Sequence, residues 1–370
     1  MPKQTKYTVI GAGNGGKAMA AHLALMGFHV TLFNRTPSRL DAIRELGGLQ
    51  LESFEGGPHG FGKLKKATSD IQESVAEADV IMVVIPSSAH SDIGRQFAGH
   101  LRDGQMIVLH PGRTGGALEM RKVLNDLGCS AKVTIAEAET FIYASRAEGP
   151  ASARIFRIKQ AVPLSALPAT ETGNVLNVLR KPFPEFIDGH NVLHTGLNNM
   201  GAIFHPALTL LNAGRIESTA GDFQFYIDGV TPSVARVLEV LDRERVTVAA
   251  AVGVRARTAM EWLRLAYNVT GENLYEAIQN QTGYYGIKAP GTLRHRYIFE
   301  DVPMSLVPIA MLGTRYGVSV NGMESIIRLA CFVNRTDYWR RGRTLDRMGV
   351  GNLSVSELTN FVMKGVAPRA

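Results

Sequence analysis

A chain of 370 residues with 45% apolar and 20% charged residues is too long for one ordinary core and too apolar for disorder, so it reads as two folded domains. The net charge of +7 favours anionic ligands through the long-range field. The basic residues are scattered, however, apart from a cluster at "NRTDYWRRGRTLDR", and no recognition helix, zinc finger or RNA-binding signature goes with them, which argues against nucleic acid.

In chain order, "KYTVIGAG" is a short β-like run ending in glycines, and "GKAMAAHLALMG" has helical spacing with a stop at Gly27. "HVTLFNR" is a second strand. "TPSRLDAIRELGG" is a second helix, which Thr36 or Ser38 can cap and Gly47 can end. Next come "ADVIMVVIP", "HSDIGRQFAGHL", "GQMIVLHPG", "GGALEMRKVLNDLG" and "KVTIAEAE". Strands alternating with helices of this length predict an α/β Rossmann domain, a doubly wound parallel sheet with helices on both faces. The apolar runs "VIMVVI" and "MIVLH" suit strands buried on both sides. From about Glu185 helical patterns take over, as in "NVLHTGLNNMGAIF", "TPSVARVLEVLDRERVTVAAAVGV" and "MESIIRLACFVN". The expected division is therefore a Rossmann domain over 1–184 and an all-α domain over 185–370, joined near "RKPFPEF".

Apolar runs such as "VIMVVIP" and "TVAAAVGV" fall well short of the roughly 20 residues of a membrane span, and the start breaks into glycines with no leader-like apolar region. Cys129 and Cys331 make neither a disulfide framework nor a zinc pattern. A cytoplasmic protein without a membrane partner or a metal site is expected.

Residues 11–16, "GAGNGG", match G-x-G-x-x-G at Gly11, Gly13 and Gly16, with Asn14 and Gly15 between them. The motif is informative here because it follows a predicted strand and opens a predicted helix. Gly11 permits the tight turn, Gly13 lets the backbone approach a pyrophosphate, and Gly16 lets helix and strand pack closely. The helix start offers free N–H groups to the phosphates. After the second strand, where NAD-preferring sites carry an acid, this chain has Asn34, Arg35 and Thr36. An arginine there can pair with a 2′-phosphate, so NADP is expected over NAD.

Ligands of doubly wound folds bind outside the carboxyl ends of the strands. The loops "PSSAH", "HPGRTGG" and "EAETF" offer Pro86, His110, Glu139 and Thr140 there. Each also fits ordinary loop chemistry. In the helical half, His205 stands in the apolar run "GAIFHPALTLL" and needs a partner. It suits the proton transfer that accompanies a hydride. Pro206 can start a helix, which would place His205 at a helix break. In "LRHRYIFEDVP", Asp301 can hold such a histidine or cap a helix beginning near Pro303. Arg296 can pair with a carboxylate or phosphate.

Over nearly its whole length the chain resembles the opine dehydrogenases. The resemblance rests on "GAGNGGKAMAAHLA", "LHPGRTGGALE", "NVLHTGLNNMGAIFHPALTLLNAGRIE", "FYIDGVTPSV" and "RYIFEDVP", of which "HP…LLNAGRIE" and "RYIFEDVP" are the specific pieces. It implies a Rossmann domain joined to a helical domain with the active site between them. It also implies a reaction in which an amino acid condenses with a 2-oxo acid such as pyruvate, and NAD(P)H reduces the imine to a secondary amine dicarboxylate. His205 matches the family's acid–base histidine and Asp301 its partner. Arg296 matches an arginine that contacts the cofactor phosphates or gates closure, and Glu139 and Thr140 match residues near the substrate. The family pattern carries an asparagine four residues before the histidine. Here that position is Gly201, with Asn198 and Asn199 close by, and Asn199 is taken as the substrate contact. The assembly is left open, a homodimer among the options.

Two other functions remain at this point. One is an NADP-dependent hydroxy-acid dehydrogenase similar to ketopantoate reductase or glycerol-3-phosphate dehydrogenase, although those enzymes lean on a lysine. The helical half offers only Lys288 and Lys364. The other is a non-catalytic NADP sensor, since fold alone never fixes function.

Overall fold

The computed structural model describes residues 4–365. Among the described residues twelve strands form: β1 Lys6–Ile10, β2 His29–Phe33, β3 Gly48–Ser53, β4 Gly60–Lys63, β5 Lys66–Thr68, β6 Val80–Val83, β7 Met106–Leu109, β8 Thr134–Ala138, β9 Tyr143–Gly149, β10 Ser152–Ile158, β11 Val162–Leu167 and β12 Phe186–Asp188. Eight of them make a sheet in the order β12-β11-β8-β7-β6-β1-β2-β5. Its pairs are parallel except β11 against β8. All four residues of β6 are buried, the signature of a strand covered on both faces. The Rossmann expectation therefore describes this sheet, with one antiparallel pair added.

A second, four-stranded sheet, β4-β3-β10-β9, lies outside the sequence reading. Its inward residues Leu49, Leu51, Ala153 and Ile155 join the same apolar core as β1 and the helix Asn14–Leu25. That helix buries Ala18, Met19, Ala20, Ala21 and Leu23 completely. It is apolar nearly all round because the core surrounds it, rather than lying along one stripe.

The chain forms two compact units. One runs to Thr195 and takes the chain back from Asn360, and the other is Gly196–Thr359. The division thus falls later than the 184/185 boundary expected from composition. The prolines of "RKPFPEF" precede the last strand rather than end the domain: β12 pairs with β11, and Gly189 N–H donates to Leu164 C=O at 2.9 Å. Thr195 Oγ1 then donates to the buried Glu137 of β8 at 2.7 Å. The return of the chain is marked by Asn191, whose amide reaches the Met363 sulfur at 3.4 Å.

The second unit is helical. Its longer helices are Met200–Leu211, Pro232–Ala251, Ala259–Tyr267, Val307–Arg315 and Asn321–Asn334. Arg245, with no exposed surface, ties the unit together. Its guanidinium donates to Asp242 Oδ1 at 2.6 Å, to Leu197 C=O at 2.5 Å and to Arg257 C=O. Asp242 in turn accepts from Ala259 N–H at 2.7 Å. Removing one member of such a buried pair strands the other's charge, a loss of about 3–5 kcal/mol. Arg245→Ala is therefore expected to lower the unfolding free energy by about that amount in a urea titration. A loss below about 1 kcal/mol would show that the pair contributes little.

Candidate active site

The glycine loop is shaped by close approaches. Gly11 has φ +110°, and a Cβ there would lie 2.5 Å from Val84 C=O. A Cβ on Gly16 would lie 1.7 Å from Gly11 C=O, so strand and helix could not keep their distance. Gly13 differs: nothing stands within 4 Å of its missing Cβ. Packing does not demand a glycine there, and the space suits a ligand approaching the backbone. The helix begins at Asn14 with Gly13 as its cap residue, no side-chain cap bond and no acid in its first turn. Its leading N–H groups fit an anion. Asn14 Oδ1 accepts from Ala147 N–H at 3.0 Å, which braces the loop from β9.

At the end of β2, Asn34 also serves the loop. Its Oδ1 accepts from Ala12 N–H at 3.2 Å and its amide donates to Thr36 C=O at 3.0 Å. Arg35 and Thr36 are exposed, and no acid follows the strand before Asp41. Two further cations gather nearby. Lys17, on the opening helix, is buried and donates to Gly149 C=O at 2.7 Å. Burial, with Arg39 beside it, pulls its ammonium below the usual lysine range. Neither Lys17 nor Arg39 carried a sequence signal, because both sit in helical segments whose basic residues look like ordinary surface charge.

The loop after β6 places Pro86 as an exposed residue opening the short 3-10 turn Ser87–Ala89. His110, after β7, is buried against Phe141 and Phe186. Burial pushes its pKa down to about 3, so it stays neutral, as a packed loop histidine would. After β8, Glu139 and Thr140 are half-buried. Thr140 Oγ1 accepts from the Lys159 ammonium at 2.6 Å. Lys159 was missed in the sequence, where "RIKQAVP" carries no motif.

In the helical unit, His205 Nδ1 lies 2.8 Å from Asp301 Oδ2. The carboxylate has no exposed surface, while the imidazole keeps 20% of its own. An ionised carboxylate only accepts, so Nδ1 carries the proton and Nε2 is left to exchange one. Tyr297 stacks on the imidazole at 4.1 Å between centroids and 20° between planes, with Phe225 stacked behind Tyr297 at 5.2 Å. The carboxylate and the stacked ring together fix the orientation of the imidazole. His295 meets Tyr297 edge-on at 4.4 Å. Burial, then Arg296 and His205, hold His295 below the ordinary histidine range against the pull of Asp301. Tyr297 and His295 flank Arg296 in the sequence, yet nothing in their spacing says that either would reach His205.

One expectation is corrected here, and Asp301, Arg296 and Asn199 are given their surroundings. Pro206 does not begin a helix: Met200–Leu211 runs through it. Ala202, Ile203, Phe204, Ala207 and Leu208, all at 3% exposure or less, surround it. Their burial holds the helix across a residue that disfavours its interior. Asp301 stands at the head of a π-helical turn, Val302–Leu306, and makes no side-chain cap bond, so of its two expected uses the structure pairs it with His205. Single π turns recur at functional sites. Arg296 is half-exposed and its Nε lies 3.1 Å from the buried Glu300. Asn199, expected at the substrate, is buried and donates to Ser305 Oγ at 2.8 Å, joining the start of the His205 helix to the π turn. No group of metal-ligating side chains occurs among the described residues. None of their helices is long and apolar enough to cross a membrane.

A glycine-turned strand–helix junction on a largely parallel sheet has the form of a dinucleotide-binding protein, here followed by a helical unit that holds a histidine–aspartate pair. Comparison with known proteins sharpens this. Residues 188–334 match the family model "NAD/NADP octopine/nopaline dehydrogenase, alpha-helical domain", and residues 6–112 match "NAD-dependent glycerol-3-phosphate dehydrogenase N-terminus". The opine dehydrogenase of Arthrobacter sp. (strain 1C) is 37% identical over 98% of this chain and 100% of its own length. Among solved structures, octopine dehydrogenase with NADH and L-arginine superposes with a TM-score of 0.83 at 20% identity, covering 99% of this chain and 100% of its own. Yersinopine dehydrogenase with NADP+ bound gives 0.77 at 14% identity, covering 98% and 99%. The chain belongs to the opine dehydrogenase family. It is an NAD(P)-dependent oxidoreductase, which sets aside the non-catalytic sensor. The glycerol-phosphate likeness stops at residue 112 and so concerns the nucleotide-binding half.

Proposed function

We propose that the protein condenses an amino acid with a 2-oxo acid such as pyruvate and reduces the resulting imine to a secondary amine dicarboxylate. The observation that carries this reading is the His205–Asp301 pair at 2.8 Å, within a chain that is alike along its whole length to an opine dehydrogenase. Gly11, Gly13, Asn14, Gly15 and Gly16, with Asn34, Arg35, Thr36 and Pro86, would hold the dinucleotide, which supplies the hydride when bound. Glu139 and Thr140 would lie at the substrate. His205 gives its Nε2 proton as the amine forms, and Asp301 holds the ring and stabilises its charged form. Arg296, already turned to Glu300, would serve the cofactor phosphates or closure. We take the protein to act in the cytoplasm, and a homodimer is compatible with every role named.

The test is a matrix of amino acids against 2-oxo acids, followed by NADPH and NADH absorbance. Oxidation that needs both substrates is expected. Turnover of a hydroxy acid with no amine requirement would favour the hydroxy-acid dehydrogenase instead.

NADP is the preferred cofactor in this reading, since Arg35 is exposed and the end of β2 lacks an acid. Arg35→Ala is expected to raise the Michaelis constant for NADPH about tenfold or more, the scale of one charge-assisted phosphate contact, and to leave that for NADH nearly unchanged. Equal effects on the two would remove Arg35 from cofactor selection.

A further inference from the structure

We infer that Lys159, held by Thr140, is the cation that docks a substrate carboxylate at the sheet's carboxyl ends. The inference rests on the proposed two-substrate reaction, in which both substrates are carboxylates.

Lys159 lies between β10 and β11, and its N–H donates to Ile142 C=O at 3.0 Å. That bond sets it beside the loop that leaves β8. The same loop touches the nucleotide-binding glycines: a Cβ on Gly15 would meet the Phe141 ring at 2.5 Å. Thr140 is one residue away, so the Lys159–Thr140 contact stands next to the cofactor loop, where open α/β sheets place their ligands.

Lys159 is half-buried, and the bonded partner of its ammonium is a neutral hydroxyl, Thr140 Oγ1, at 2.6 Å. Among the described residues no carboxylate forms an ion pair with it. An ammonium has three donors; the threonine takes one and orients the others. Glu139 and Arg113 are the charged groups that act on it, the first favouring its charged form and the second opposing it. A partly desolvated cation bonded to a neutral group gains most from an arriving anion.

Burial, the largest influence, pushes Lys159 down to about 8. It is therefore charged below that pH and loses its proton above it. The Michaelis constant for the docked substrate should be flat below pH 8 and climb above it, approaching tenfold per unit. A lysine acting instead as a neutral base would raise turnover over the same range.

The experiment measures wild type, Lys159→Gln and Lys159→Arg. Michaelis constants for the 2-oxo acid and for the amino acid are taken separately from pH 6 to 10, with the dissociation constant for NADPH measured by fluorescence. In Lys159→Gln one substrate constant is expected to rise about ten- to hundredfold, the worth of a charge-assisted hydrogen bond. Whichever substrate responds is the one docked. Lys159→Arg should keep the low constant and lose the alkaline rise. Unchanged substrate constants in Lys159→Gln, or a rise confined to NADPH, would overturn the inference, the latter by assigning the lysine to the cofactor. A wild-type enzyme that does not require both substrates would instead defeat the reaction on which the inference rests.

Discussion

His205→Ala is expected to lower turnover by about 10²–10⁴, the usual contribution of a positioned acid–base group, while NADPH binding stays within about twofold. The two measurements separate because the imidazole and the glycine loop belong to different units. The loss should lie in kcat, since the proton moves only as the new bond forms and little ground-state binding goes with it. The helix should survive: the imidazole keeps a fifth of its surface, and the burial of Ile203, Phe204, Ala207 and Leu208 does not depend on it. Near-wild-type turnover in the folded variant would remove His205 from the chemistry.

Asp301→Asn should cost a comparable factor, about 10²–10⁴, for a different reason. Asparagine keeps the shape of the side chain but offers an amide that can donate to Nδ1. The ring then takes the other tautomer, with its proton on the nitrogen that should exchange it, and the charged ring loses its counter-ion. Asp301 is thus a positioning residue. If it acts through His205, the double variant should be scarcely worse than either single one, because the two work as a unit. A structural role would instead lower the melting temperature and add independently. The solvent isotope effect on kcat should rise in Asp301→Asn as proton transfer becomes limiting. No rise would place its effect elsewhere.

The strand–glycine–helix start was legible because each step is local. A short β-like run marks β1, glycines at 11, 13 and 16 mark the turn, and the helical spacing behind them marks the helix. The second sheet was hidden because β3, β4, β9 and β10 are brought together from sequence positions about a hundred residues apart, a pairing that local periodicity does not encode. The domain boundary shifted for a similar reason. Composition changes at the prolines of 182–184, but β12 is held by pairing with β11, and pairing is not a compositional property. Pro206 misled because a local rule for helix starts was applied where buried neighbours on both sides decide the outcome.

By itself the sequence determined the nucleotide-binding loop, the absence of an acid after β2, the alternation of β1, β2, β6, β7 and β8 with helices, and the residue types fit for proton transfer. These follow from spacing and side-chain chemistry, which short stretches carry whole. Only the tertiary structure decided which groups meet. His205 and Asp301 are 96 positions apart, Tyr297 lies flat on that histidine, and Lys159 reaches Thr140 across a β-hairpin. A hydrogen bond or a desolvated charge depends on distances of a few ångströms, and the fold alone sets those between residues far apart in the chain.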